Sequence, residues 1–202
     1  MTEARRPLKS RDTRWARALA TWLAARRVSP NAISVWGMVF ATLGSAALIA
    51  CGLKGVGCAA LLLAGVAGVQ LRLLCNLLDG MVAVEGGLKG KAGDLFNEAP
   101  DRYADIVLLV GAGYAAGAPW LGWVASTFAV LTAYIRALGA SLGQGQDFCG
   151  PMAKPHRMFF LTVGCVAAIF LPTVLWWALW LIIMGAGITA LRRVVRLYRK
   201  LP

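Results

Sequence analysis

The stretch Asn76-Leu-Leu-Asp79-Gly80-Met-Val-Ala83-Val84, followed after eight residues by Gly93-Asp-Leu-Phe-Asn97-Glu-Ala-Pro-Asp101, decides how this chain reads. It is polar within a chain that is 59% hydrophobic with a mean hydropathy of +0.66. Six of the nine acidic residues, Asp79, Glu85, Asp94, Glu98, Asp101 and Asp105, lie within it or just beyond. On a helix Asn76, Asp79, Gly80 and Ala83 share one face, because residues three and four apart are neighbours. Asn97 and Asp101 share a face in the same way, and the glycine-rich segment from Glu85 to Gly93 can turn the chain so that the two faces meet.

Ionisable groups flanked by apolar sequence are costly at membrane depth and are usually kept for ion or substrate chemistry. Carboxylate and amide oxygens are the ligands that Mg²⁺, Mn²⁺ or Ca²⁺ prefer. Four such side chains beside small residues suit a divalent cation that holds a diphosphate. Gly80 and Ala83 would let a bulky nucleotide come close to the backbone.

The spacing resembles the signature of the CDP-alcohol phosphotransferase family, D-x2-D-G-x2-A-R-x8-G-x3-D-x3-D, at every interval. Asp79, Gly80, Ala83, Gly93 and Asp101 match by identity, whereas Asn76 and Asn97 stand where the family has its first and third Asp, and Val84 where it has Arg. The resemblance implies a transferase that moves a phosphatidyl or other substituted-phosphate group from a CDP-alcohol to an acceptor hydroxyl, releasing CMP. It also implies a divalent cation, Mg²⁺ or Mn²⁺, held by Asp79, Asn76, Asn97 and Asp101, with Asp101 as the base that deprotonates the acceptor. Gly80, Ala83 and Gly93 would lie against the CDP-linked donor. Asn keeps a ligating oxygen and loses its charge, so the two remaining carboxylates balance one divalent ion better than two. Val84 removes a phosphate-binding guanidinium, which Arg72, Lys89, Lys91 or Arg102 would have to replace. Arg136 and Arg157 reach the same face and are candidates for holding a phosphorylated acceptor. A non-catalytic relative that binds CDP-lipid or stabilises a partner is the main alternative, and a small cation transporter a third.

Composition bounds the class. So apolar a chain of 202 residues fits a polytopic membrane protein rather than one soluble domain. The net charge of +12 could suggest nucleic acid, but the basic residues gather at the chain ends and in alternate loops, the pattern that fixes topology in a bilayer. No nucleic-acid partner is expected. The five cysteines show no CxxC pair or His-Cys metal spacing and read as small buried hydrophobes. The N-terminus lacks an early apolar core followed by a small-residue cleavage site, so no removable signal peptide is expected. The loop carrying Lys89 and Lys91 lacks the spacing of a Walker loop.

The fold class expected is an all-α membrane protein of six transmembrane helices, residues 29–202, preceded by a basic amphipathic interfacial helix in residues 1–28. In that first segment Trp15, Ala18, Leu19, Trp22 and Leu23 recur at helical spacing after Asp12, a candidate cap. The apolar runs are Ala32 to Leu53, Val56 to about Val84, Gly93 to Tyr114, Trp120 to about Leu142, Pro155 to about Phe170 and Val174 to Leu191. Pro100 should disturb the third run, and Glu98 and Arg102 should pair at i and i+4. With six crossings both termini share one side with every Lys and Arg except Lys54, and that side is the cytoplasm of a bacterial inner membrane by the positive-inside rule. Five of the eight tryptophans mark the opposite interface. His156 reads as an exposed loop residue. Small residues in the first and fourth spans also suit pairing as a homodimer.

Overall fold

The computed structural model describes residues 13–54, 59–85 and 93–201, without the side chains of Glu85, Asp94 and Asn97. The described residues form seven helices: α1 (Arg14–Ala25), α2 (Pro30–Lys54), α3 (Ala59–Glu85), α4 (Gly93–Ala115), α5 (Pro119–Ser141), α6 (Lys154–Ala168) and α7 (Thr173–Tyr198). The sequence explains their ends. α2 and α5 open on prolines, whose fixed φ and missing N–H suit a first turn, and Ser29 Oγ accepts the Ala32 N–H at 3.2 Å. α5 closes where Gly143 takes φ +74°, so that the Gln144 N–H reaches Gly139 O at 2.9 Å and the Gly143 N–H reaches Ala140 O at 3.1 Å. That left-handed closure satisfies carbonyls the helix would otherwise leave open, and glycine adopts it at no steric cost. Pro100 lies inside α4, which runs through it.

α2 packs on α3 and α4, α4 on α5, α5 on α7, α6 on α7 and α3, and α1 lies across α3. The α2–α3 crossing is a backbone contact, since a Cβ on Gly68 would stand 2.6 Å from Gly44 Cα. In the same way a Cβ on Gly122 of α5 would stand 2.6 Å from Leu109 O of α4. Without a strong hydrophobic force between helices in lipid, small residues earn close packing and dispersion contacts. Gly44 of the first span and Gly122 of the fourth thus pack inside this bundle.

The main core gathers Leu48, Val69, Leu108, Leu121, Leu161 and Leu179 with their neighbours. A second cluster joins Ala16 and Ala20 of α1 to Ile33, Cys75, Leu78 and Val82. α1 thus buries Ala16 and Ala20, which let it lie close on α3, while Trp15 and Trp22 remain 55% and 48% exposed. Asp12 lies outside the described residues, and Thr13 stands at the cap position. Cys51, Cys75 and Cys165 are buried, Cys149 is half-buried, and Cys58 lies outside the described residues.

By length and composition four helices, α2, α3, α5 and α7, can cross a membrane. α4 carries the acidic cluster in its first half. α6 has 15 residues, about 22 Å at 1.5 Å per residue, against a hydrocarbon thickness of about 30 Å. The expected fifth run is shorter as a helix because the chain turns at Ile169 and Phe170 before Pro172.

Candidate functional site

The polar stretch does fold back on itself. Asp79, in the last third of α3, is 6% exposed and accepts a 2.7 Å hydrogen bond from Ser34 Oγ of α2. It lies within electrostatic reach of Arg72, two turns earlier on α3, and of Asp101 on α4. Arg72 is 2% exposed, and its Nη2 donates to Asp101 Oδ1. Its guanidinium fits beside Gly37, where a Cβ would stand 3.1 Å from Nη1. Lys154, the first residue of α6, places its ammonium on the same Asp101 oxygen, and Arg102 Nη2 stands 3.6 Å from the other. The carboxylate carried over as a base is therefore ringed by three cations from three helices.

A second layer surrounds this pair. Glu98 meets Arg136 Nη2 at 2.5 Å, closer than the expected i+4 partner Arg102 at 3.9 Å. Arg136 also donates to Gln146 at 3.1 Å. Arg157, 2% exposed, pairs with Asp105 at 2.9 Å and donates to Thr132 Oγ1 and Met152 O, each at 3.2 Å. Arg193 of α7 donates to Thr132 O at 2.6 Å and to Cys149 O at 3.0 Å, and Thr189 Oγ1 accepts the Met152 N–H at 2.9 Å. The loop from α5 to α6 is thereby tied to α7, which fixes where Lys154 and Arg157 begin. Asp147 of that loop accepts the Cys149 N–H at 2.8 Å and stands 3.3 Å from Arg196. Burial raises the Asp147 pKa, but the Cys149 N–H and the Arg196 charge outweigh it and hold the carboxyl below its ordinary value.

Of the residues read from sequence, Asp79, Asp101 and Arg72 come together, and Asn76 lies half-buried one turn before Asp79. Gly80 and Ala83 continue that face of α3. Gly93 opens α4 with nothing within 4 Å of a built Cβ. Lys89 and Lys91 lie outside the described residues, as does the Asn97 side chain. His156 is exposed, though in the first turn of α6 rather than in a loop. Sequence reasoning missed Ser34, Thr132 and Arg193; only Arg193 carried a signal, as a cation just beyond the end of the apolar run Val174 to Leu191.

The donors match a hard divalent cation in kind but not in charge. Asn76, Asp79 and Asp101 offer oxygens, yet among the described side chains five cations, Arg72, Arg102, Arg136, Lys154 and Arg157, face four carboxylates, Asp79, Glu98, Asp101 and Asp105. Unit charges 4 Å apart interact by about 4 kcal/mol at an effective dielectric near 20, so a 2+ ion entering this cluster meets repulsion with no surplus of negative charge to offset it. No group of three or more His, Cys, Asp or Glu among the described residues could hold a metal ion. Far from the cluster, a cavity of about 510 Å³ lies near Cys51, Gly117, Ile169, Trp176 and Trp177, with no ionisable group but Cys51 among its lining residues.

No family model matches the chain, and no curated protein matches it. Its fold is shared with solved structures of another protein. These are structures of Mycobacterium tuberculosis phosphatidylinositol phosphate synthase (PgsA1). With CDP-DAG bound, that synthase gives a TM-score of 0.78 at 21% identity, over 92% of this chain and 94% of that one. In complex with manganese and citrate it gives 0.76 at 20% identity, over 91% and 88%. The apo form gives 0.73 at 19% identity, over 90% and 95%. Similarity at this level of identity establishes the fold.

Proposed function

We propose that this chain is an integral-membrane transferase of phospholipid synthesis that moves a phosphatidyl or other substituted-phosphate group from a CDP-alcohol to an acceptor hydroxyl. The observation that carries this reading is the convergence of Asp79 and Asp101 beside Arg72, in a fold shared over nearly its whole length with a synthase solved with CDP-DAG bound. The acceptor oxygen forms the new bond to the phosphorus that bears the alcohol, the bond from that phosphorus to the CMP oxygen breaks, and Asp101 takes the hydroxyl proton. For that, either Arg72 and Lys154 both release Oδ1, or Oδ2 turns from Arg102 toward the acceptor. In the resembling family Asp79, Asn76, Asn97 and Asp101 are the positions that would hold a divalent cation, of the kind present in the manganese complex of the synthase; the charges described in this chain do not favour one, and no step here is routed through it.

In this reading α2 to α7 all cross the bilayer, α1 lies in the headgroup layer through Trp15 and Trp22, and both termini share the cytoplasmic side with the site. Residues 1–28 then form the surface segment and 29–202 the catalytic domain. The test is CMP release from CDP-diacylglycerol by the reconstituted chain across a panel of acceptor alcohols, with and without Mn²⁺. Turnover that Asp101→Asn lowers by about 10²-fold or more supports the reading; no turnover with any acceptor overturns it.

A second reading has its own observation. The enclosure of Asp101 by Arg72, Lys154 and Arg102 favours a relative that binds CDP-lipid and performs no chemistry. Binding without CMP release in the same assay would select it. A cation path has less support, because the charged side chains gather around one cluster and the cavity elsewhere is apolar.

A further inference from the structure

We infer that Arg72, Lys154 and Arg102 take the place of a divalent ion and hold the diphosphate of a CDP-linked lipid directly, so that the site binds this ligand without metal. This rests on the reading that the site takes a CDP-alcohol, and it concerns how that ligand is held.

Four observations converge on it. Asn76 contributes a neutral amide where charge would be needed to hold a metal. Asp101 is ringed by protein cations contributed by α3, α4 and α6. The cluster of described side chains carries one more cation than carboxylate. Finally, Arg72 is 2% exposed, yet its Nε and Nη1 have no hydrogen-bond partner among the described residues, and neither has Arg102 Nε. Buried guanidinium donors left open are unfavourable unless an acceptor meets them. A diphosphate diester offers one negative charge on each phosphate and several acceptor oxygens in the geometry that arginine matches with paired N–H groups.

The same cations explain how the ligand could enter without leaving a buried charge unpaired. Lys154 and Arg102 exchange an Asp101 oxygen for a phosphate oxygen, so each keeps an anionic partner throughout. Lys154 stands on the first residue of α6, where the stem can swing, whereas Arg72 is fixed between α2 and α3 beside Gly37. In this arrangement Lys154 is the member assigned to move and Arg72 the one that stays. When Lys154 leaves for the diphosphate, Asp101 Oδ1 keeps Arg72 as its partner.

The experiment is equilibrium binding of CDP-diacylglycerol to the full chain in nanodiscs, in excess EDTA and in excess Mn²⁺. The expected result is a Kd that differs by less than about threefold between the two. Lys154→Met should weaken binding in EDTA by about tenfold or more, and Lys154→Arg should restore most of it, with both variants checked for an unchanged melting temperature. Binding present in Mn²⁺ and lost in EDTA would overturn the inference and leave the proposed function standing. Absence of binding under both conditions would overturn the proposed function and the inference with it.

Discussion

Arg157 Nη2 and Asp105 Oδ2 meet at 2.9 Å with only 2% and 1% of their side chains exposed, which joins α6 to α4 at a point no solvent reaches. Thr132 extends the link to α5 through its hydroxyl, and Arg193 extends it to α7 through the Thr132 carbonyl. Four helices are locked by one set of polar contacts, and Lys154, one turn before Arg157, inherits its position from that lock.

Removing one member of such a pair leaves a charge uncompensated. Asp105→Ala should cost about 3–5 kcal/mol, whereas Asp105→Ala combined with Arg157→Met should recover much of the loss. Thermal unfolding in detergent measures both. A single variant that melts with the wild type would show that the pair contributes nothing to stability.

The α2–α3 crossing makes a steric prediction. Gly68→Ala puts a methyl 2.6 Å from Gly44 Cα and 2.8 Å from Phe40 O, atoms of the backbone that cannot swing aside. The helices have to separate, at a cost of about 1–3 kcal/mol. Gly93→Ala, with nothing within 4 Å, is the control and should leave the melting temperature within a degree or so of wild type. Equal melting of the two variants would contradict the close crossing.

Asp147 makes the loop from α5 to α6 sensitive to acid. Its pKa is held below the ordinary 3.8, so the stability it contributes is fully present above that value and is lost as the pH falls through the lower, folded-state value. Hydrogen exchange at the Cys149 amide, corrected for its intrinsic pH dependence, should lose protection only in that acidic window. In Asp147→Asn the residual protection should no longer depend on pH there. Protection that stays constant in the wild-type chain down to the lowest pH at which it remains folded would refute the assignment.

Restoring charge should create a metal response. Asn76→Asp with Asn97→Asp adds two carboxylates next to Asp79 and Asp101, turning the excess of cations into an excess of anions among these residues. Mn²⁺ at 100 times its Kd would then stabilise the double variant by about 2.7 kcal/mol. The measurement is the shift in melting temperature on adding Mn²⁺. If the double variant responds no more than the wild type, these positions do not converge on a metal.

Much of this protein was legible in order along the chain. Apolar runs bounded by Pro30, Gly93, Pro119 and Pro155 announced the helices, because hydrophobic length and proline chemistry act locally. The shared face of Asn76, Asp79, Gly80 and Ala83 followed from helical period alone. The expected fifth run, Pro155 to about Phe170, overshoots the end of α6 by two residues, Ile169 and Phe170, which turn before Pro172.

The sequence by itself determined which residues are charged, which runs are helical and that a polar stretch interrupts a chain otherwise suited to lipid. Only the tertiary structure decided which charges meet. Ser34 finds Asp79 across 45 residues, Arg72 finds Asp101 across 29, and Arg157 finds Asp105 across 52. These pairings depend on how the helices cross, through contacts such as Gly44 on Gly68, and on burial, which obliges each cation to take the nearest anion. Helix periodicity carries neither kind of information, because it orders side chains around one axis and says nothing about the axis beside it.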